Sequence, residues 1–178
     1  MSSQSDHTQI SKNTAARRVA VTGILAALAL IFSYIEVMFP FQPGIPGVKL
    51  GLANLVVVLA LYEMGPAYAF GINLIRVVIA GLLFTGFYGM LYSLAGSVVS
   101  FLVMYILFRT GKFSVIGVSM AGGVAHNFGQ LLVAAAAVST AGLFVYFPIL
   151  VFSGIASGII VGVGAQILLE RLPKSLFL

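Results

Sequence analysis

The stretch VAVTGILAALALIFSYIEVMF, residues 19–39, decides the fold class of this chain. It has 21 residues and a single charged side chain, Glu36, and about 20 apolar helical residues cross the hydrocarbon core of a bilayer. The run is too long for the core of a signal peptide and is followed by no small-residue cleavage site. It therefore predicts a membrane-spanning helix that is retained in the mature protein.

The composition of the whole chain extends this prediction. Of its 178 residues, 61% are hydrophobic and 7% are charged, whereas ordinary soluble domains are about 25% charged. Charge this scarce excludes a water-soluble globule and leaves room for about six spans without a separate soluble domain. The chain has no Cys, two His and four acidic residues, so we predict no disulfide, no metal site and no cofactor.

Proline and glycine divide the rest of the chain into five further predicted helices, at about 50–63, 66–84, 88–109, 113–138 and 144–170. We therefore predict an all-α, polytopic membrane protein whose six transmembrane helices form one domain over residues 16–171. Residues 1–15 are polar and lack aromatic side chains, which is typical of a disordered tail. Residues 172–178 are predicted to be a C-terminal tail.

Positive charges predict the topology. They cluster before the first helix, between the fourth and fifth, and after the last, at Lys12, Arg17, Arg18, Arg109, Lys112, Arg171 and Lys174. Six spans place all of these on the cytoplasmic side, whereas the last four would move outside if the short second segment did not cross. We predict a multi-pass protein of the prokaryotic cell membrane with both termini in the cytoplasm, and no nucleic-acid binding from the net charge of +5.

Small residues indicate where helices approach one another closely. In the last predicted helix, Gly154, Gly158 and Gly162 recur every four residues, and a similar stripe of glycine and serine occupies residues 89–100. Both stripes predict packing inside this chain. The first helix carries a third set, Ala16, Ala20, Gly23 and Ala27. This set either packs within the chain or accepts a second protein.

A charged residue near the middle of a span needs a partner or a function, because burying it in lipid costs at least about 2.5 kcal/mol. Arg76 is the main case, and Asn73 lies one turn earlier on the same helix face. One interpretation is a buried ion pair between Arg76 and Glu36. The other is a ligand site, since the arginine fork suits carboxylate or phosphate groups.

A second polar group lies in the fifth predicted helix. His126 and Gln130 are four residues apart and share a face, with Asn127 beside them. Glycines surround the group, so it predicts either a polar cavity wall or hydrogen bonds between helices. No nucleophile adjoins His126 in the sequence, which argues against catalysis.

The connection between the first two predicted helices contains three prolines and three glycines in residues 40–51. This composition predicts a stiff rim over residues 43–47 on the outer face, with a simple turn as the alternative. Lys49 and Asn54 would lie near its base, and Tyr88 and Tyr92 would enter from the fourth helix.

The sequence lacks the motifs of a self-powered transporter or a prenyl transferase. Its Gly111-Lys112 pair is followed by Phe113 and lacks the earlier glycine of a P-loop, because Ile106 stands there. Its one aspartate, Asp6, lies in the predicted tail, whereas chemistry on diphosphates with Mg²⁺ usually uses several carboxylates. We therefore predict that the chain is not an enzyme.

Three segments carry a family resemblance: residues 43–54 (PGIPGVKLGLAN), 74–76 (LIR) and 122–132 (GGVAHNFGQLL). Over residues 17–170 the chain resembles the Gx transporter family, also named heptaprenyl diphosphate synthase component I. That family is similar to the substrate-binding S components of energy-coupling factor importers. The resemblance implies six helices, cytoplasmic termini, and small residues on the first helix that face a transmembrane coupling subunit, which works with two ATPases. At that depth S components carry two alanines, whereas this chain has Gly23 and Ala27.

The predicted site contains Lys49, Arg76, amides and His126 against a single acid, Glu36, which favours an anionic or strongly hydrogen-bonding head group. Apolar and aromatic residues nearby suit an apolar or planar body. Candidate ligands are an isoprenoid or quinone precursor or a flavin-like molecule. The enzyme-derived family name indicates a second function, a membrane accessory subunit for prenyl diphosphate or quinone synthesis. A third alternative is a purely structural scaffold.

Overall fold

The computed structural model describes residues 2–39 and 50–177, and every regular element within these ranges is helical. They contain the α-helices α1 (Ser2–Met38), α2 (Leu52–Glu63), α3 (Pro66–Ala80), α4 (Gly86–Thr110), α5 (Val115–Ala137) and α6 (Phe147–Arg171). A π-helical turn, Gly81–Thr85, joins α3 to α4, and short 3-10 helices, Ala141–Tyr146 and Lys174–Leu176, flank α6. The predicted all-α fold is confirmed. The predicted rim at residues 43–47 and Lys49 lie outside the described residues.

Glycine and proline lie where α2 and α4 end, at the predicted places. Gly65 has φ +92°, which a right-handed helix cannot contain, and Pro66 begins α3, where its missing N–H has no helical partner to lose. Gly111 ends α4 with φ +64°, the left-handed conformation that commonly closes a helix.

Helices α3 and α4 form an antiparallel pair, although one apolar helical stretch, Pro66–Thr110, runs through both. The side chain of Asn73 donates a hydrogen bond to the carbonyl of Ser97, 24 residues later, at 3.3 Å. In a continuous helix these residues would lie about 36 Å apart, since each residue adds about 1.5 Å. The chain therefore reverses between them, where Gly86 has φ +72°.

Three stretches of the described chain are helical, apolar and long enough to cross a membrane: Ala15–Met38, Pro66–Thr110 and Ala141–Arg171. Large apolar side chains cover the outer surface, for example Leu82, Val145 and Phe152, each more than 70% exposed. Lipid rather than water is the solvent that suits such a surface. Helix α5, which contains the group around His126, is not among these three stretches.

Helix α2 is the centre of the bundle. It packs against α1, α3 and α6, and all of residues 56–61 are at most 3% exposed. A helix that is apolar on all sides belongs either in a protein core or in lipid, and α2 lies in the core. Its 12 residues confirm the predicted short length.

Helix α1 begins at Ser2, so the structure continues the helix through the segment that the sequence predicts to be a disordered tail. The physical reason is local, since neither proline nor glycine occurs before Gly23 to end a helix. At the other end of the chain, Phe177 is buried in the core and Arg17 donates a hydrogen bond to the carbonyl of Ser175. The start of the apolar part of α1 and the C-terminal segment therefore lie at the same end of the bundle.

The glycines of α6 pack against α5, as predicted. A Cβ atom added to Gly158 would lie 2.5 Å from Cα of Met120, and one added to Gly162 would lie 2.7 Å from Cα of Ile116. Side chains at these positions would collide with backbone, so only glycine permits this approach.

The stripe on α4 also packs inside the chain. Ser97 and Ser100 are each 2% exposed, and a Cβ added to Gly129 of α5 would lie 2.8 Å from the carbonyl oxygen of Ala95. Gly89, at the start of the stripe, instead neighbours Thr85 of the π-helical turn.

The small residues of α1 behave differently. Ala16, Ala20, Gly23 and Ala27 are all exposed, and a Cβ added to Gly23 would meet no atom within 4 Å. Within the described chain, therefore, these four residues make no helix contact that requires their small size. We call this exposed set the α1 stripe.

Candidate ligand-binding cavity

A polar cavity lies at the end of the bundle where α1 ends and α2 begins. All six helices and the π-helical turn contribute to its wall. The lining residues are Ser33, Glu36, Val37, Gly51, Ala53, Asn54, Arg76, Val77, Ala80, Gly81, Thr85, Ser93, Gly123, His126, Asn127, Gln130 and Ser157. The structure thus brings together Glu36, Asn54, Arg76 and the α5 polar group, which are far apart in the sequence.

Arg76 is the central charged residue of the wall. It is 9% exposed, and its Nη2 donates a hydrogen bond to Oδ1 of Asn73 at 2.8 Å. Asn73 is held in turn by its hydrogen bond to the carbonyl of Ser97 on α4. The Nε atom of Arg76 is buried and has no hydrogen-bond partner in the structure. Because an unmade charged hydrogen bond is costly in a buried site, this donor favours an oxyanion in the cavity.

Glu36 lies across the wall from Arg76 on a different helix. Its Oε1 accepts a hydrogen bond from the backbone N–H of Leu52 at 2.8 Å. Gly51, with φ +76°, turns the chain at the start of α2, where a carboxylate also interacts favourably with the helix dipole. The structure shows no ion pair between Glu36 and Arg76, so that interpretation of the sequence is wrong for the described side chains.

The polar group on α5 serves two purposes. Asn127 is 9% exposed, and its Nδ2 donates a hydrogen bond to the carbonyl of Leu150 on α6 at 2.8 Å. His126 and Gln130 line the cavity as well. A Cβ added to Gly96 of α4 would lie 2.8 Å from Cγ of Gln130, so glycine makes room for this side chain. Both sequence interpretations, the cavity wall and the bond between helices, therefore apply to this group.

The remaining predicted site residues divide into three groups. Asn54 lines the cavity, whereas Asn73 is not part of the wall and accepts a hydrogen bond from Arg76. Tyr88 is 74% exposed, and neither it nor Tyr92 is part of the wall. Lys49 lies outside the described residues.

Several hydroxyl groups in the wall were not predicted as site residues: Ser33, Thr85, Ser93 and Ser157. Ser33 lies three residues before Glu36, so helical spacing placed it on the same face. Thr85 belongs to the π-helical turn, whose position no sequence pattern indicated.

The arrangement can form hydrogen bonds of both directions with a ligand. The wall offers charged and neutral donors from Arg76, Asn54 and Gln130, and acceptors from Glu36 and the hydroxyl groups. No group of three or more His, Cys, Asp or Glu residues that could hold a metal ion occurs in the described ranges.

One family model, heptaprenyl diphosphate synthase component I, matches residues 25–168 of the chain. The match includes every residue of the cavity wall. No curated protein and no solved structure matches the chain significantly.

Proposed function

We propose that this chain, which belongs to the heptaprenyl diphosphate synthase component I family, is the membrane-embedded substrate-binding subunit of an energy-coupling factor type importer. It captures a small anionic or strongly hydrogen-bonding molecule from outside the cell. The observation that carries the proposal is the buried Nε of Arg76, which lacks a partner in a polar cavity inside an otherwise apolar bundle. A buried guanidinium with unused donors is characteristic of a ligand site.

The proposed topology is six spans with both termini in the cytoplasm of a prokaryotic cell. The hydrogen bond between Arg17 and Ser175 supports this topology. It joins the start of the first span to the segment after the last helix, so both lie on the same side of the membrane. Exposed positive residues at that side, such as Arg18 and Arg171, fit the positive-inside rule. The cavity then opens toward the outer face.

The proposed partners are a transmembrane coupling subunit and two ATPases. The sequence has no P-loop, so an importer built on this chain must obtain its energy from other subunits. In this proposal the chain binds and releases its ligand without acting as an enzyme.

The proposed docking surface for the coupling subunit is the α1 stripe. Its four residues are exposed although they are small enough for backbone-to-backbone contact. In lipid, small residues allow close van der Waals packing between helices, so an exposed stripe of this kind is suited to a second membrane protein.

Copurification from native membranes in mild detergent tests the proposal. We expect a coupling subunit and ATPases to accompany the wild-type chain, and Ala20→Leu, Gly23→Leu and Ala27→Leu each to reduce their recovery by about tenfold or more. Ala156→Leu, at an exposed alanine of α6, is the matched control and should leave recovery unchanged. Intact complexes in all three variants would show that the docking surface is wrong.

The family's description favours one other function, an accessory role in prenyl diphosphate synthesis. The same experiment separates the two functions. Recovery of a soluble prenyl synthase without any ATPase would favour the accessory role.

A further inference from the structure

The chemistry of the cavity wall narrows the class of ligand, and this argument rests on the function proposed above. Of the 17 described lining residues, ten have polar side chains, three are glycine, four are alanine or valine, and none is Phe, Tyr or Trp. Sites for drug-sized ligands and cofactors are instead lined mainly by hydrophobic and aromatic side chains. Such a wall can form hydrogen bonds with the polar groups of a ligand, but it has little apolar surface to pack against a large apolar or planar group.

The size of the cavity also argues against a large apolar or planar ligand. Its volume is about 80 Å³, whereas typical ligand pockets have roughly 300–1,000 Å³. Most residues of the wall are small, and backbone contacts at Gly123 and Gly154 hold α5 and α6 together beside it. A cavity of this size suits a small ligand better than an isoprenoid chain or a flavin ring system.

The formal charges of the described acidic and basic lining residues are balanced. Arg76 provides one cation and Glu36 one anion, and each binds a different neighbour, so neither neutralises the other by direct contact. Nε of Arg76 still needs an acceptor, and Glu36 lines the same cavity with its carboxylate. A ligand with several negative charges would satisfy Arg76 but would be repelled by Glu36 in a site of low dielectric constant.

We infer that the ligand is a small, hydrophilic zwitterion of the amino-acid type, whose oxyanion binds Arg76 and whose ammonium group binds Glu36. This assignment selects against the isoprenoid diphosphates, quinone precursors and flavins that the sequence left open. The side chains of Asn54, His126 and Gln130 then bind the remaining polar atoms of the ligand.

Thermal unfolding of the purified full chain in detergent, followed by circular dichroism, tests this inference with defined probes. Free amino acids serve as zwitterions, their N-acetyl derivatives as matched monoanions, geranyl diphosphate as an isoprenoid diphosphate, and riboflavin as a flavin. We expect at least one free amino acid to raise the unfolding temperature, and its N-acetyl derivative, geranyl diphosphate and riboflavin to leave it unchanged. A rise with any of these three probes, or no rise with any free amino acid, would overturn the inference.

Two charge variants test the assignment of the groups. With the stabilising amino acid, Glu36→Gln and Arg76→Gln should each weaken binding by about tenfold or more, because each removes one charged partner. Glutamine at position 36 can still accept the hydrogen bond from Leu52, so this variant keeps the local fold. Glu63→Gln, at the opposite end of α2, is the control and should bind normally.

The direction of the affinity change in Glu36→Gln distinguishes a zwitterionic ligand from a purely anionic one. Tighter binding in this variant, together with weaker binding in Arg76→Gln, would identify a purely anionic ligand. The inference would then fail while the proposed capture function stands. Unchanged affinity in both variants would instead remove the ligand from this cavity, and the proposed site with it.

Discussion

The α6 glycines and the α1 stripe have the same kind of sequence and opposite surroundings. Gly154, Gly158 and Gly162 press against the backbone of α5, whereas Gly23 of α1 has open space around it. The difference shows that the spacing of small residues indicates that another helix can approach closely, but it does not indicate which helix does so. In α6 the partner is within the chain, and in α1 we propose that it is another protein.

The largest expected effect follows from filling the α6 contact. Gly158→Leu places a side chain where even a Cβ would lie 2.5 Å from the backbone of Met120. Forcing α5 and α6 apart should cost at least about 3 kcal/mol, the upper end of the usual range for overpacking. Thermal unfolding in a single detergent measures the loss, and a variant as stable as the wild type would contradict the packing described for this interface.

A smaller effect separates hydrogen bonding from packing at the same interface. Asn127→Ala removes the bond to the carbonyl of Leu150 but leaves the glycine contacts in place. Hydrogen bonds between membrane helices contribute about 0.6 kcal/mol on average and up to about 1.7 kcal/mol, so we expect a loss of about 1 kcal/mol. A loss as large as that of Gly158→Leu would mean that the hydrogen bond, and not glycine packing, holds α5 to α6.

The smallest effect is expected in the α1 stripe of the isolated chain. A Cβ at position 23 would have no atom within 4 Å, so Gly23→Leu should change the free energy of unfolding of the purified chain by no more than about 0.5 kcal/mol. Strong destabilisation would show that Gly23 packs inside the protein, and the distinction between the two stripes would then disappear.

Helix positions could be predicted from the sequence because the signals are local. Gly65, Gly86 and Gly111 permit the positive φ at which a right-handed helix ends, and Pro66 lacks the N–H that would continue a preceding helix. The buried polar residues could be predicted too, since the cost of placing Arg76 in lipid does not depend on which helix lies beside it.

The composition of the cavity wall could not be predicted, because it depends on how helices rotate against one another. Tyr88 was predicted to enter the site and instead points outward, while Ser33 and Ser157 belong to the wall. The ion pair between Glu36 and Arg76, one of two interpretations of the sequence, is not formed by the described side chains for a related reason. The start of α2 provides a backbone N–H for Glu36, and no pattern of residue types could place that N–H beside it.

The short central helix has a consequence for how the protein enters a membrane. With 12 residues at about 1.5 Å each, α2 is about 18 Å long, well short of the roughly 30 Å hydrocarbon core. Alone in a bilayer it would leave the polar backbone at its ends facing lipid. We therefore expect α2 to be integrated together with α1 and α3, its sequence neighbours and packing partners, as one unit during synthesis. Mutations that loosen those neighbours should then first appear as failed insertion of α2, before any defect in the finished bundle.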